Sequence, residues 1–253
     1  VSVPVKLLRK MMRTTPYIYS LLCLMLWAAP LHALPTVAVD TLAQWLAGAK
    51  VSTAAVQRHG IDKCFAAEPV PTSVWQQMQG RTYKAGCPVP KADLRYLKLL
   101  HCDMQGRTTL GEMVCHRRIA QKLLHIFRRL YEARYPIACM RLADCYEADD
   151  ERSMRANNTS AFNYRRVAGT RTVSKHGYGL AVDVNPLFNP CVRTRQGRQV
   201  VQPATAERYA RRQEKFVGKI DHQDLCYRLF REAGFVWGGD WRSVKDYQHF
   251  EFP

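Results

Sequence analysis

The chain has 253 residues, of which 47% are apolar and 23% charged. That is ordinary globular composition, with material for a sizeable core, and it excludes a disordered or collagen-like chain. The formal net charge of +17 points to anionic partners such as nucleic acid, an anionic cell surface or wall polymers.

The first element in chain order is a leader. Lys6, Arg9, Lys10 and Arg13 precede the apolar run "YIYSLLCLMLWAA", and "PLHALP" follows it. A basic start, a short apolar run and a small residue at the cut describe a secretory signal peptide over residues 1–33, cleaved after Ala33. Pro16 and Pro30 bracket the run, which is shorter than the roughly 20 residues that span a bilayer, so no stable membrane span is expected after cleavage. Export places the protein in the periplasm or cell envelope of a bacterium and shifts the meaning of the basic charge towards wall polymers. No block of Lys and Arg longer than three occurs, and no nucleic-acid-binding motif is present. Cys23 leaves with the leader, and the eight remaining cysteines are an even number with no C-x-x-C pair. In an exported chain that favours structural disulfides over a cysteine-held zinc.

Residues 34–95 read as a short helical segment, with "TLAQWLAGAK" and "TSVWQQMQG" as candidate helices. Residues 96–253 form the main domain. There "LRYLKLLHCDM" and "GEMVCH" read as two strands joined by a tight turn. In "RRIAQKLLHIFRRLYEARYP", residues Ile119, Leu123, Leu124, Ile126, Phe127 and Leu130 share one helical face, and Pro136 closes the segment. "CYEADDERSMRANNTS" is polar and loop-like, while "AFNYRRVAG" and "GLAVDVNP" read as strands. "DHQDLCYRLFREAG" is a second amphipathic helix, with Leu225, Leu229 and Phe230 inward and Gly234 at its C-terminal cap. "FVWGGDWRSVKDYQHFEFP" ends the chain as a glycine turn between short strands. The sum is an α+β fold with helices packed against a small antiparallel sheet.

Two stretches carry chemistry. In "SKHGYGLAVDVNP", Asp183 stands in a buried strand pattern, where an unpaired carboxylate is costly and must be paired, protonated or metal-bound. His176 and Asp183 are both good zinc ligands, and a hydrogen-bonded Asp–His pair is the alternative. In "KDYQHFEF", His249 offers a third ligand, with Asp246 three residues before it. Three protein ligands and a nearby carboxylate are what a hydrolytic zinc site requires.

"SKHGYGLAVD" and "DYQHFE" resemble the S-x-H-x-x-G-x-A-x-D and D/E-x-x-H patterns of the zinc D-alanyl-D-alanine carboxypeptidases and dipeptidases, which include the vancomycin-resistance enzymes. The resemblance implies a hedgehog/lysostaphin-like fold and one zinc ion held by His176, Asp183 and His249. Asp246 stands at the family's general base. Arg165, followed directly by Arg166, stands where an arginine binds the substrate carbonyl, and Ser174 matches a substrate or supporting hydrogen bonder. The implied substrate is a peptidoglycan stem peptide. Carboxypeptidase, dipeptidase and endopeptidase share these residues, and a zinc-containing binding module without catalysis is the alternative. Asn185, Trp237 and Trp241 read as structural, and the basic stretch 191–219 between the motifs shapes the cleft.

Overall fold

The structure is a computed structural model and describes residues 41–167 and 169–253; the expected leader lies outside the described residues. Three short helices come first: α1 (Thr41–Gln44), α2 (Thr53–His59) and α3 (Thr72–Met78). Ser52 starts α2 by accepting from the Ala55 amide through its side chain. Both candidate helices of the prelude contain one, α1 and α3, and strand β1 (Ala66–Pro69) lies between α2 and α3 as well. Residues 39–253 form one compact unit. Among the described residues no helix is long and apolar enough to cross a membrane.

The expected strand pair is β2 (Leu94–Cys102) and β3 (Thr108–His116), antiparallel from Leu94↔His116 to Cys102↔Thr108. Asp103 builds their turn, its Oδ1 accepting from the amides of Gln105 and Arg107 at 3.0 and 2.9 Å. Helix α4 (Arg117–Glu132) follows at once. Its apolar face falls as the 3.6-residue period predicts: Ile119, Leu123, Ile126, Phe127 and Leu130 are fully buried, and Leu124 is partly so.

Two segments differ from expectation. The polar stretch after Pro136 contains a helix, α5 (Asp150–Arg155), capped by Asp149, whose Oδ1 accepts from the Arg152 amide at 2.9 Å. Acids in its first turn and arginines in its last complement the helix dipole, which stabilises a short helix with almost no apolar face. The stretch 161–169, expected as a strand, is not one. Its amides bond to scattered loops and strands instead, Phe162 to Val114, Asn163 to His176 and Tyr164 to Thr82, so no ladder forms.

The remaining elements are β4 (Ala181–Asp183), β5 (Cys191–Arg195), β6 (Arg198–Gln202), α6 (Glu207–Ala210), α7 (Leu225–Glu232), β7 (Val236–Trp237), β8 (Val244–Asp246) and β9 (His249–Glu251). The fold is α+β, but the single expected sheet is three antiparallel three-stranded sheets, ordered β1-β2-β3, β4-β9-β7 and β6-β5-β8. The basic stretch 191–219 therefore begins as a hairpin that forms a sheet with β8 and continues through α6 into irregular chain.

One core contact matters for the site. Phe230 of α7 meets Phe127 of α4 edge-on at 6.1 Å and stacks on Phe250 of β9 at 4.3 Å. Side chains alternate along a strand, so Phe250 in the core turns His249 and Glu251 to the opposite face. Burying such a ring stabilises by about 2–3 kcal/mol, which holds β9 in place.

The expected disulfides are absent: Cys64, Cys87, Cys102, Cys115, Cys139, Cys145, Cys191 and Cys226 are all free thiols. Cys64, Cys102, Cys115 and Cys226 are buried and pack as small apolar side chains, with burial pushing each thiol up from its ordinary pKa.

Candidate metal centre

The first motif is held by its own backbone. Ser174 accepts from the His176 amide at 3.3 Å through Oγ and donates its own amide to the Arg165 carbonyl at 3.0 Å. It thus caps the single 3₁₀ turn, residues Lys175–Tyr178, that presents His176. Gly179 ends that turn at φ +65, and a Cβ there would lie 2.7 Å from the His116 nitrogen, so only glycine fits. The chain then enters β4, whose Asp183 lies directly opposite His249 of β9 in the register.

Three donor groups converge. His176 Nε2 lies 3.1 Å from His249 Nδ1 and 3.1 Å from Asp183 Oδ2, and His249 Nδ1 lies 3.0 Å from Asp183 Oδ1. His176 Nδ1 is 2.6 Å from the Ala161 carbonyl, and His249 Nε2 is 3.1 Å from Glu251 Oε2. Those outer partners accept hydrogen bonds only, so each imidazole places its proton outward. In neutral imidazoles, lone pairs from both inner nitrogens then face the Asp183 carboxylate. Such a cluster is satisfied by positive charge at its centre, and His176, Asp183 and His249 could hold a metal ion.

The titration of the groups carries the same demand. Burial alone would raise the Asp183 carboxyl, but the charge and hydrogen bonds of His176 and His249 outweigh it and hold Asp183 well below the usual carboxylate range. Burial alone would lower His249, yet hydrogen bonds to Asp183 and Glu251 push it up to about 10. Without a metal, an imidazole must itself become the cation.

The triad opens on a cleft of about 1010 Å³. Asp246 lies in its wall on β8, and burial pushes its carboxyl above the ordinary aspartate value. Its Oδ1 is buried without a hydrogen-bond partner. Gly238 allows this approach, because a Cβ there would lie 2.6 Å from the Asp246 carbonyl oxygen and 3.3 Å from His249 Cβ. Arg165 also lines the cleft, ion-paired to Asp150 on α5, whereas Arg166 is exposed and does not line it. Ser174 lines the cleft too, but its hydroxyl is engaged with the turn. Asn185 and Trp237 are structural: Asn185 is buried and bonds to Pro136 and Ala138, and Trp237 donates to the Tyr247 carbonyl. Trp241, expected to be structural, instead lines the cleft against the His249 ring at 5.2 Å.

Glu251 and Gln248 line the cleft without being expected there, while Cys191 and Arg193 line it as part of the stretch 191–219 expected to shape it. Glu251 had a legible signal, since it lies two residues from His249 in a strand. The places of the other three depend on the hairpin register and on packing, which no local pattern reveals.

Glu251 fixes the His249 tautomer, so Glu251→Gln should keep the fold and weaken metal affinity by about 10–100-fold, as loss of such outer partners does. Competition against a chelator of known affinity measures this, and an unchanged affinity would show that Glu251 does not orient the ligand.

No solved structure matches the chain. Residues 168–252 match the family model described as D-alanyl-D-alanine carboxypeptidase. The matched span contains His176, Asp183, Asp246 and His249 and stops short of Arg165. Over that span the chain is similar to a family of peptidases.

Proposed function

We propose that the protein is an exported zinc metallopeptidase of the D-alanyl-D-alanine carboxypeptidase type, hydrolysing peptide bonds in peptidoglycan stem peptides. The observation that carries this reading is the convergence of His176 Nε2, His249 Nδ1 and the Asp183 carboxylate beside the unpartnered Oδ1 of Asp246 in one cleft. Two imidazoles and a carboxylate, with no thiolate, are the ligand set of a catalytic zinc, which needs three protein ligands and an open position. Zinc held by these residues supplies Lewis acidity to the scissile carbonyl and to the attacking water.

The chain's own groups do the rest. Asp246 Oδ1 takes the proton of the attacking water and returns it to the leaving amine nitrogen. Its burial keeps a competing solvent shell away and raises its basicity. Arg165, anchored by Asp150, presents a fixed cation for the charge developing on the carbonyl oxygen, an effect worth about 3 kcal/mol in comparable sites. Ser174 acts through the backbone, holding the turn that carries His176. The surplus of basic residues suits carboxylate-bearing wall peptides. Export through the leader at residues 1–33 places the enzyme where such peptides occur.

Release of D-alanine or of a shortened stem peptide from purified muropeptides tests the activity. Asp246→Asn should retain zinc and fold while losing about 10²-fold or more of the rate, and Asp246→Glu should retain part of it. A zinc-loaded Asp246→Asn variant as fast as wild type would remove Asp246 from the base role. Wild-type protein that binds zinc tightly but cleaves no muropeptide would make this a binding module.

The intact mass of protein recovered from the periplasm tests export. It should correspond to cleavage after Ala33, and a retained leader would contradict that assignment.

A further inference from the structure

The hairpin β5–β6 forms a wall of the cleft, through Cys191, Arg193 and Gln202, and the neighbouring strand β8 of the same sheet adds Val244 and Asp246 to that wall. The register explains why these residues share a face. Cys191 lies opposite Asp246 and Arg193 opposite Val244, and alternate residues of a strand point the same way. Arg193 donates from Nη2 to Gln202 Oε1 at 2.6 Å, while its Nε is buried without a hydrogen-bond partner.

Two other cations line the cleft, Arg165 with a carboxylate partner and Lys175, like Arg193, with a neutral one. Arg165 is ion-paired to Asp150, and Lys175 Nζ donates to the Phe252 carbonyl at 3.2 Å. Among the described residues no carboxylate lies within ion-pairing distance of Arg193, whose guanidinium is held by a neutral amide. A guanidinium fixed in a cleft wall, with donor capacity unspent, is matched by the two oxygens of a carboxylate.

Resting on the peptidase reading above, we infer that Arg193 binds the free C-terminal carboxylate of the peptide and makes this cleft an exopeptidase site. Arg193 stands one strand repeat, about 6.8 Å, from the position opposite Asp246. The carboxylate carbon of a terminal residue lies about 4 Å from the carbonyl carbon whose bond to that residue is cut. A single residue therefore fits between the proton-transferring Asp246 and the guanidinium, with the remaining distance covered by the arginine side chain. Gln202, reaching across the hairpin, keeps that side chain from turning away. A longer leaving segment would have to pass Arg193 with no charge to offer it.

The experiment compares the zinc-loaded full chain on a stem pentapeptide ending in D-alanyl-D-alanine and on its C-terminal amide. Two versions of the amide are used, one keeping the internal acidic side chain and one with that side chain also amidated. Wild type should prefer the free acid by about 10–100-fold in kcat/KM, the scale of a charged hydrogen-bonded contact. Arg193→Gln should lose that preference mainly through KM while leaving both amides within about 3-fold, and Arg193→Lys should restore part of it.

Equal losses on acid and amide, or wild type cutting both equally, would overturn the assignment. So would an Arg193 effect that follows the internal side chain rather than the terminus. If wild type cleaves none of these peptides, the peptidase reading fails separately. Calorimetric binding of acyl-D-alanyl-D-alanine and its amide then decides Arg193 directly. Tighter binding of the acid that is lost in Arg193→Gln sustains it, and equal binding overturns it.

Discussion

Asp183 is the constraint on which the rest depends. A carboxylate enclosed by β4 and β9 is tolerated only because His176 and His249 face it at about 3 Å. That pairing requires β4 and β9 to keep one register, Asp183 opposite His249, since a slip by one residue would send His249 into the core and Phe250 into the cleft. Phe250 prevents the slip by stacking on Phe230, so the aromatic core and the polar site fix each other across a single strand. Gly238 and Gly179 complete the arrangement by letting backbone approach where any side chain would intrude.

The division between what the sequence reveals and what it conceals follows from the range of the interactions. Asp183 is legible because an aspartate inside "LAVDV" conflicts with its neighbours, a local signal, whereas His249 and Asp246 are joined to it by the resemblance of the two motifs. Helix α4 is legible through its apolar period. Helix α5 is missed because its stability comes from a cap and charge placement rather than an apolar face. The stretch 161–169 is missed in the opposite direction: its apolar and β-branched residues suggest a strand, but no neighbouring edge accepts it. The cysteines mislead because an even count carries no geometry. The three-sheet arrangement and the hairpin wall rest on pairings between distant segments, such as Cys191 with Asp246, which no local period encodes.

The site is divided between two kinds of structure. The donors for a metal stand on β4, β9 and one short turn, all tied to the core and given little freedom. The wall that carries Asp246 is completed by a hairpin whose outer residues are exposed and basic, and whose inward face carries Cys191, Arg193 and Gln202. Burial and the neighbouring Asp246 push the Cys191 thiol up, which keeps it protonated against the carboxylate rather than competing for a cation. Donors tied to the core and a separate wall that meets the peptide are a common division between chemistry and selectivity.

Two imidazoles and one carboxylate, rather than any of the eight free thiols, are placed to hold a metal ion. X-ray absorption at the zinc edge of the purified, zinc-loaded protein tests it most directly. Nitrogen and oxygen neighbours alone are expected, at about 2.0–2.2 Å, with the spectrum altered in His176→Ala, Asp183→Ala and His249→Ala. A sulfur shell at about 2.3 Å, or a spectrum unchanged by all three substitutions, would place the metal elsewhere and contradict it.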